Sequence, residues 1–195
     1  MLHTTFRLAR KAKACKPSYQ KFAASVGGIR NYGADTPIPL SQVLEVNGLQ
    51  DALWCLRAVL PEEEAARDRL ARLFSCVSAE HVAPLWVAPA GIDWLPADTI
   101  SVSRRYALGQ ATKAELDAAR DAAFDAAWAA VRDAVSRAVI ESAWAAWDTT
   151  WHAARSAAFD SARDACWAVF ASAGEAAMAA ERQWQHEQFA AMLAA

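Results

Sequence analysis

Residues 112–148 read TKAELDAARDAAFDAAWAAVRDAVSRAVIESAWAAWD, and this stretch contains neither glycine nor proline. Alanine has the highest helix propensity of all residues. Thr112 and Glu115 form the capping-box pattern that starts a helix. Oppositely charged residues such as Asp133 and Arg137 stand four positions apart, which stabilises a helix further. The stretch therefore predicts a long α-helix, and with it an all-α fold.

The helical pattern is too long for one straight helix. A helix from 113 to 174 would extend about 90 Å, more than a compact domain of this size accommodates. Asp148 can cap a helix and is followed by two poor helix formers, Thr149 and Thr150, so we expect a break there. The motif AARDAAFDAA at 118–127 recurs as AARSAAFDSA at 153–162, which favours a hairpin or repeat. We expect an antiparallel helix pair and a third helix from about 175 to 193.

The distribution of proline and glycine changes near residue 110. All seven prolines lie at or before Pro96, and Gly174 is the one glycine beyond Gly109. Such a change indicates short elements joined by turns over 1–110 and long helices over 111–195. We expect one compact protein, in which an irregular N-terminal helical half packs on long antiparallel helices rich in alanine and tryptophan.

Composition favours a soluble globular protein, because 22% of the 195 residues are charged and the formal net charge is −2. No uncharged apolar run of about 18 residues is present, and the N-terminus lacks the apolar core of a secretory signal. We expect a cytoplasmic protein that does not enter membranes. The four cysteines are scattered without metal-ligand spacing, so we expect free buried thiols and neither a metal nor a cofactor. They are Cys15, Cys55, Cys76 and Cys166.

The N-terminal segment 1–34 is basic and precedes the first acidic residue, Asp35. Such an arm can contact nucleic acid or an acidic partner. A solvated helix face, or docking on the acidic second half of the same chain, explains the pattern as well. Its basic residues are Arg7, Arg10, Lys11, Lys13, Lys16, Lys21 and Arg30.

Aromatic residues recur at helical spacing in the second half, which predicts two packing stripes. One stripe contains Ile140, Trp144, Trp147 and Trp151, and the other contains Phe124, Trp128, Val131, Val135 and Val139. Alanine faces bury little apolar area, so the large rings would supply the contact between helices. A partner-binding surface is the second interpretation. A cofactor cage would need a polar anchor, and His152 alone is a poor one.

No pattern in the chain specifies a reaction. The motifs HExxH, GxSxG, GxxxxGK and GxGxxG are absent. Cys76 and His81 could be drawn as a nucleophile and a base, but residues five apart diverge by about 140° around a helix. Asp117, Asp121 and Asp125 lie among arginines, which favours a solvated, salt-bridged face over a metal site. We therefore expect a protein that is not an enzyme.

Four segments carry a resemblance to a known family. They are RLARLFSCVSAEHVAPLW at 69–86, SRRYALGQATKAELDAA at 103–119, the helical tract that follows, and ERQWQHEQF at 181–189. In this order they resemble the fifth-immunity-protein-like group of the immunity-protein family, found in bacteria and phages. The resemblance covers about 40–193. The family tends to show a second cysteine where Val77 and Ser78 stand here, and the basic stretch before residue 36 is an addition.

The resemblance implies an all-helical, non-enzymatic protein that binds and neutralises another protein. The leading hypothesis is thus a stoichiometric inhibitor, either an immunity protein or a phage-encoded counter-defence protein of the anti-CRISPR kind. Two alternatives stay open: a nucleic-acid-binding protein that uses the basic arm, and a helical self-assembly protein. Tryptophan and arginine dominate interface hot spots. The residues expected to bind a partner are Trp86, Trp94, Trp184, Arg104 and Arg105.

Overall fold

A computed structural model describes residues 1–133 and 136–195. Its described residues form ten α-helices and one two-stranded sheet, so the predicted all-α class is confirmed. Contacts divide the chain into two compact units. One contains Met1–Arg67 and His186–Ala195, and the other contains Asp68–Gln185. The units thus do not coincide with the division expected near residue 110.

The first unit consists of short helices and a small sheet. Strands β1 (His3–Thr4) and β2 (Ile38–Pro39) pair antiparallel, with Thr4 opposite Ile38. The sequence did not predict them, because two-residue strands leave no alternating pattern. The helices are α1 (Phe6–Lys11), α2 (Lys16–Ser25), α3 (Ile29–Tyr32), α4 (Leu40–Asn47) and α5 (Leu49–Cys55).

The basic N-terminal segment is part of this fold. Phe6 is buried and its ring contacts those of Tyr19, Phe22 and Tyr32 at centroid distances of 5.4, 5.8 and 6.0 Å. The hydroxyl of Thr5 accepts a hydrogen bond from the Leu8 amide and caps α1. The segment is therefore a folded surface with a buried aromatic centre.

The second unit is built from long helices. They are α6 (Glu64–Val82), which begins in the first unit, α7 (Pro96–Ala107), α8 (Lys113–Arg132), α9 (Arg137–Asp148) and α10 (Ala154–Ala194). The capping box that starts α8 is confirmed: the Thr112 amide donates to Glu115 Oε2 at 2.7 Å, and the Glu115 amide to Thr112 Oγ1 at 3.2 Å. Among the described residues, no helix has the length and apolar character needed to cross a membrane.

The long tract is divided in two places before Gly174. The break predicted at Asp148 is confirmed, since α9 ends there. A second division between Arg132 and Arg137 was not predicted. It separates Asp133 from Arg137, so the helical ion pair expected between them gives way to one between Arg137 and Glu141, with Nε and Oε1 3.0 Å apart.

The divisions fold the tract back on itself. Phe124 contacts Trp147 and Trp128 contacts Trp144, which is the pairing of antiparallel helices. Their alanine faces are fully buried, which allows the backbones to approach closely. Gly174, with φ 83 and ψ −169, interrupts α10. The segment after it runs back along the segment before it, because Gln185 Nε2 donates to the Ala162 carbonyl at 3.0 Å. The third helix expected after Gly174 is therefore present.

Candidate functional site

A continuous column of aromatic rings runs along α8 and α9. The ring centroids of Trp128 and Trp144 are 6.4 Å apart, those of Trp144 and Trp147 5.4 Å, and those of Trp147 and Trp151 5.0 Å. Phe124 contacts Trp128, Trp144 and Trp147 at 6.0 to 6.1 Å. The edge-to-face angles are those that aromatic pairs prefer. Trp144 and Trp147 stand three residues apart on one face of α9, and Trp151 follows four residues later, beyond the end of the helix.

The column is a surface feature as well as a packing contact. Phe124 is 40% exposed, Trp128 47% and Trp151 37%, while Trp144 and Trp147 are partly buried. Helix packing was the first interpretation of these rings, and they do join α8 to α9. Their outer edges nevertheless remain in solvent. Val139 of the predicted stripe is buried and Val131 is 37% exposed, whereas Val135 lies outside the described residues.

The column forms one side of an open groove of about 660 Å³. We refer to it as the aromatic groove. Its aromatic lining consists of Phe124, Trp128, Trp144, Trp147, Trp151 and Trp167. Its charged lining consists of Arg137, Glu141, Asp148, Asp160, Arg163 and Asp164. The Arg137 guanidinium lies 5.3 Å from the ring centroid of Trp167, a cation–π distance that ties α9 to α10 across the groove.

Carboxyl groups are concentrated in the groove. Arg163 Nε donates to Asp164 Oδ1 at 2.7 Å, and its Nη1 donates to Asp160 Oδ1 at 2.9 Å. Asp148 is only 3% exposed, and its Oδ1 accepts a hydrogen bond from Trp151 Nε1 at 2.9 Å. Burial, followed by the neighbouring charge of Asp164, raises the pKa of Asp148 to about 9. Asp148 therefore carries a proton at neutral pH.

Two buried polar atoms in the groove have no hydrogen-bond partner among the described residues. They are Trp147 Nε1, a donor, and Asp148 Oδ2. Buried polar atoms are nearly always paired, so each such atom calls for an explanation. Asp148 Oδ1 accepts from Trp151, so the proton of Asp148 lies on Oδ2, and the neighbouring carboxyl group of Asp164 can accept it. Trp147 Nε1 remains a donor for which a ligand could supply the acceptor.

A buried arginine holds the turn that carries these residues. Arg72 of α6 donates to the carbonyls of Thr149 and Trp151, at 2.6 and 2.7 Å, and stacks over Tyr106 at 5.1 Å. The last carbonyls of a helix have no intrahelical partner and carry partial negative charge, which a guanidinium satisfies. Ser103 Oγ lies 2.7 Å from Thr149 Oγ1 and fixes the same turn from α7. The groove is thus built on a rigid support.

The structure does not bring the predicted partner-binding residues together at the surface. Trp86 and Trp94 are 9% and 8% exposed and pack edge to face at 5.0 Å, so the expectation that they lie exposed is wrong. Their indole N–H groups are satisfied by the Trp94 carbonyl and by Thr99 Oγ1. Trp184 is partly buried and stacks on His81 at 3.8 Å. Arg104 and Arg105 form ion pairs with Glu80 and Glu115.

The basic residues expected to contact nucleic acid or an acidic partner are all exposed. They are Arg7, Arg10, Lys11, Lys13, Lys16, Lys21 and Arg30. Arg7 is paired with Asp35, and its Nη2 donates to Asp35 Oδ2 at 2.7 Å. The Arg7 guanidinium lowers the pKa of the Asp35 carboxyl through that hydrogen bond. Arg7, Arg10 and Lys11 line a shallow groove together with Phe6 and Tyr19.

The catalytic pairing drawn from the sequence does not form. Cys76 is buried, which raises its pKa to about 12, and its Sγ faces the Ile100 carbonyl at 3.8 Å. His81 Nδ1 instead lies 2.6 Å from Glu181 Oε2, and Gln185 donates to the other oxygen of that carboxylate. Cys76 thus remains a neutral thiol away from the imidazole.

The cysteines and acidic clusters form no metal site in the described part of the chain. Over residues 1–133 and 136–195, no group of three or more histidine, cysteine or acidic side chains is arranged to hold a metal ion. Asp117 instead accepts from Lys113 Nζ at 2.6 Å. All four cysteines are free as expected, but Cys15 is exposed, contrary to the expectation of burial.

No protein-family model, curated protein or solved structure matches this chain. The sequence did not single out the aromatic groove as a site, because four of its five tryptophans also fit a packing stripe. One signal could have indicated it: residues 143–154 contain three tryptophans and one aspartate on an alanine helix, more ring area than one alanine face can bury.

Proposed function

We propose that this chain is a non-enzymatic inhibitor that binds a target protein stoichiometrically in the aromatic groove. The observation that carries the proposal is the column from Phe124 to Trp151, five aromatic rings in contact and open to solvent on one side. In cellular terms we propose an immunity-type protein or a phage counter-defence protein of the anti-CRISPR kind, acting in the cytoplasm.

An open column of aromatic rings is a surface suited for association with another protein. Large exposed aromatic patches favour association, because each ring still has apolar area to remove from water. Tryptophan and arginine, which line this groove together, are the residues that most often dominate binding energy between proteins. The groove is open along its length, which suits an extended segment or helix of a partner better than a small ligand that must be enclosed.

The chain offers a matched pair of variants to test this proposal. Phe124 and Phe159 occupy equivalent positions in the repeated motif, and both are 40% exposed, but only Phe124 lines the groove. Tagged wild type, Phe124→Ala and Phe159→Ala are used to capture proteins from nuclease-treated lysate of the native host. We expect one stoichiometric partner that Phe159→Ala retains and Phe124→Ala loses. Equal capture by the two variants would remove the groove from the proposal.

Nucleic-acid binding is the second candidate, because seven exposed cations precede the first acidic residue. Deleting residues 1–30 would be a poor test, since that segment contains buried Leu2, Phe6 and Phe22. Neutralising Lys11, Lys13 and Lys16 to glutamine leaves the core intact. If the chain binds nucleic acid, affinity should fall steeply with salt, and the triple variant should show a shallower salt dependence. Binding that does not depend on salt would eliminate this candidate.

A further inference from the structure

The aromatic groove contains more negative than positive groups. Four carboxyl groups and two guanidinium groups line it. Arg137 is engaged by Glu141, and Arg163 is shared between Asp160 and Asp164. Asp148 forms no ion pair with a guanidinium among the described residues: its Oδ1 accepts from the Trp151 indole, and its charged neighbours include the carboxyl groups of Asp164 and Asp160. The excess acid lies at the base of the aromatic column.

Aromatic faces next to a carboxylate are a chemical environment that recognises cations. The face of an indole carries negative potential and attracts an ammonium or guanidinium group. The long aliphatic stems of lysine and arginine also pack well on apolar rings while the charged end reaches a polar partner. The unpartnered donor of Trp147 is next in sequence to Asp148, whose carboxyl group can ionise beside a bound cation, so the site suits a ligand that carries both a cation and a carbonyl oxygen. A peptide segment with one basic side chain has both.

We propose that the aromatic groove binds a lysine or arginine side chain of the target protein. This inference rests on the proposed function and specifies its partner. The side-chain stem lies across Trp144, Trp147 and Trp151, and its cation lies at the Asp148 and Asp164 carboxyl groups. A backbone carbonyl of the same segment accepts from Trp147 Nε1.

Binding of this kind is linked to a proton. The charged groups that act on Asp148 are Asp160, Arg163 and Asp164 on α10. Arg137 and Glu141 of α9 line the same groove, and Arg72 of α6 donates to the adjoining Thr149 carbonyl. Without a ligand Asp148 is protonated at neutral pH, because burial and the Asp164 charge hold its pKa near 9. An incoming cation favours the ionised carboxylate, so the proton leaves for solvent. Affinity for a cation should therefore rise as the pH increases from 6 to 8.

The test uses the whole chain labelled with 5-fluorotryptophan and read by ¹⁹F NMR. Five of the nine tryptophans line the groove, and Trp54, Trp86, Trp94 and Trp184 serve as internal references. The probe is Nα-acetyl-lysine amide, and the neutral control is Nα-acetyl-norleucine amide. Single Trp→Phe variants assign the signals. We expect the lysine probe to shift the groove signals alone, with an affinity about fivefold higher at pH 8 than at pH 6.

Asp148→Asn is the decisive variant, because it keeps the shape of the protonated acid and cannot ionise. We expect it to bind the lysine probe as wild type does at pH 6, about fivefold more weakly than wild type at pH 8, and to abolish the pH dependence. Asp121→Asn, at a side chain 75% exposed and outside the groove, should behave as wild type. Asp164→Asn provides a second variant in the same pair, and circular dichroism verifies that each variant is folded.

Several outcomes would overturn the inference. Equal shifts with the norleucine control would show apolar binding, and unchanged affinity at pH 8 in Asp148→Asn would show that the cation lies elsewhere. These titrations need no partner, so they fail independently of the capture experiment. If the capture experiment finds a partner but the lysine probe does not bind, the proposed function is retained and this inference is wrong. Cation binding with no captured protein would overturn the assignment of the cation to a protein target.

Discussion

Two groups of tryptophans in the second unit have opposite environments. Trp86 and Trp94 are buried, pack on each other and have both indole N–H groups satisfied. Trp128 and Trp151 are more than a third exposed, and Trp147 has a buried N–H without a partner. The fold itself buries both rings of the first group and supplies an acceptor for each of their indole N–H groups. The second group leaves apolar area and a polar atom that the described residues do not complete.

Helical spacing alone does not separate core tryptophans from surface tryptophans. Trp144, Trp147 and Trp151 have the helical spacing of a core stripe, whereas Trp86 and Trp94 lie outside regular helices. Burial depends on what faces each ring. Alanine faces of α8 and α9 meet so closely that the bulky rings are displaced to the rim of the contact, where they assemble into a column.

The largest expected effect comes from the buried pair. Trp94→Ala removes a ring that is 8% exposed, contacts Trp86 and donates to Thr99. The loss of burial and the cavity left behind should lower the free energy of unfolding by about 3 to 5 kcal/mol. Urea denaturation followed by circular dichroism measures it. A loss below about 1 kcal/mol would mean that the pair is not part of the core.

The next effect concerns the turn that carries Trp151 of the second group. Arg72→Met keeps most of the side-chain volume but leaves the carbonyls of Thr149 and Trp151 without their donor. We expect a loss of about 2 to 3 kcal/mol, because buried acceptors stay unsatisfied. Arg69→Met on the same helix is the control, and denaturation midpoints compare the two. Equal stability of the two variants would show that Arg72 does not hold the turn.

A smaller effect on the free energy of unfolding is expected for Asp148 in the groove, and this effect depends on pH. The pKa of Asp148 is about 9 in the folded chain and about 4 when unfolded, so folding takes up a proton between these values. The free energy of unfolding should therefore fall as the pH rises through this window. Asp148→Asn lacks this dependence. Its stability relative to wild type should be more than about 1 kcal/mol greater at pH 8 than at pH 6.

The measurement for Asp148→Asn is urea unfolding at several pH values in one buffer series. Asp121→Asn, whose side chain is exposed, should follow the wild-type profile. Parallel profiles for wild type and Asp148→Asn would show that Asp148 is ionised throughout.

A similarly small effect on stability is expected at the exposed end of the column. Trp128 is 47% exposed and keeps about half of its surface buried, so Trp128→Ala should cost about 1 to 2 kcal/mol, less than Trp94→Ala. The same change should reduce capture of the target more than about tenfold if the ring is a binding hot spot. A large loss of stability would move Trp128 from the binding surface to the core. Unchanged capture would remove it from the site.

Much of the helical architecture could be predicted from local signals. The capping box at Thr112, the break at Asp148 and the interruption at Gly174 depend on residues within one or two turns, so they can be read from the chain. The division between Arg132 and Arg137 could not. Its local residues resemble those of a continuous helix, and the pairing of the α8 and α9 alanine faces is a contact between residues distant in sequence.

The candidate site was the least predictable part. Asp148 was expected only as a helix cap. Its raised pKa depends on burial and on Asp164, which another helix places beside it. Two of the five residues expected to bind a partner, Trp86 and Trp94, are buried for the same reason, because helices that the local sequence does not specify cover them.

The amino-acid sequence by itself determined the all-α class, the helix-starting cap at Thr112 and the interruption at Gly174, because helix propensity and capping act between neighbours along the chain. Tertiary structure alone decided which tryptophans are buried, and where Asp148 meets Asp164. The physical reason is that burial and pKa depend on groups brought together by packing, and alanine faces pack closely enough to leave large rings at their edge.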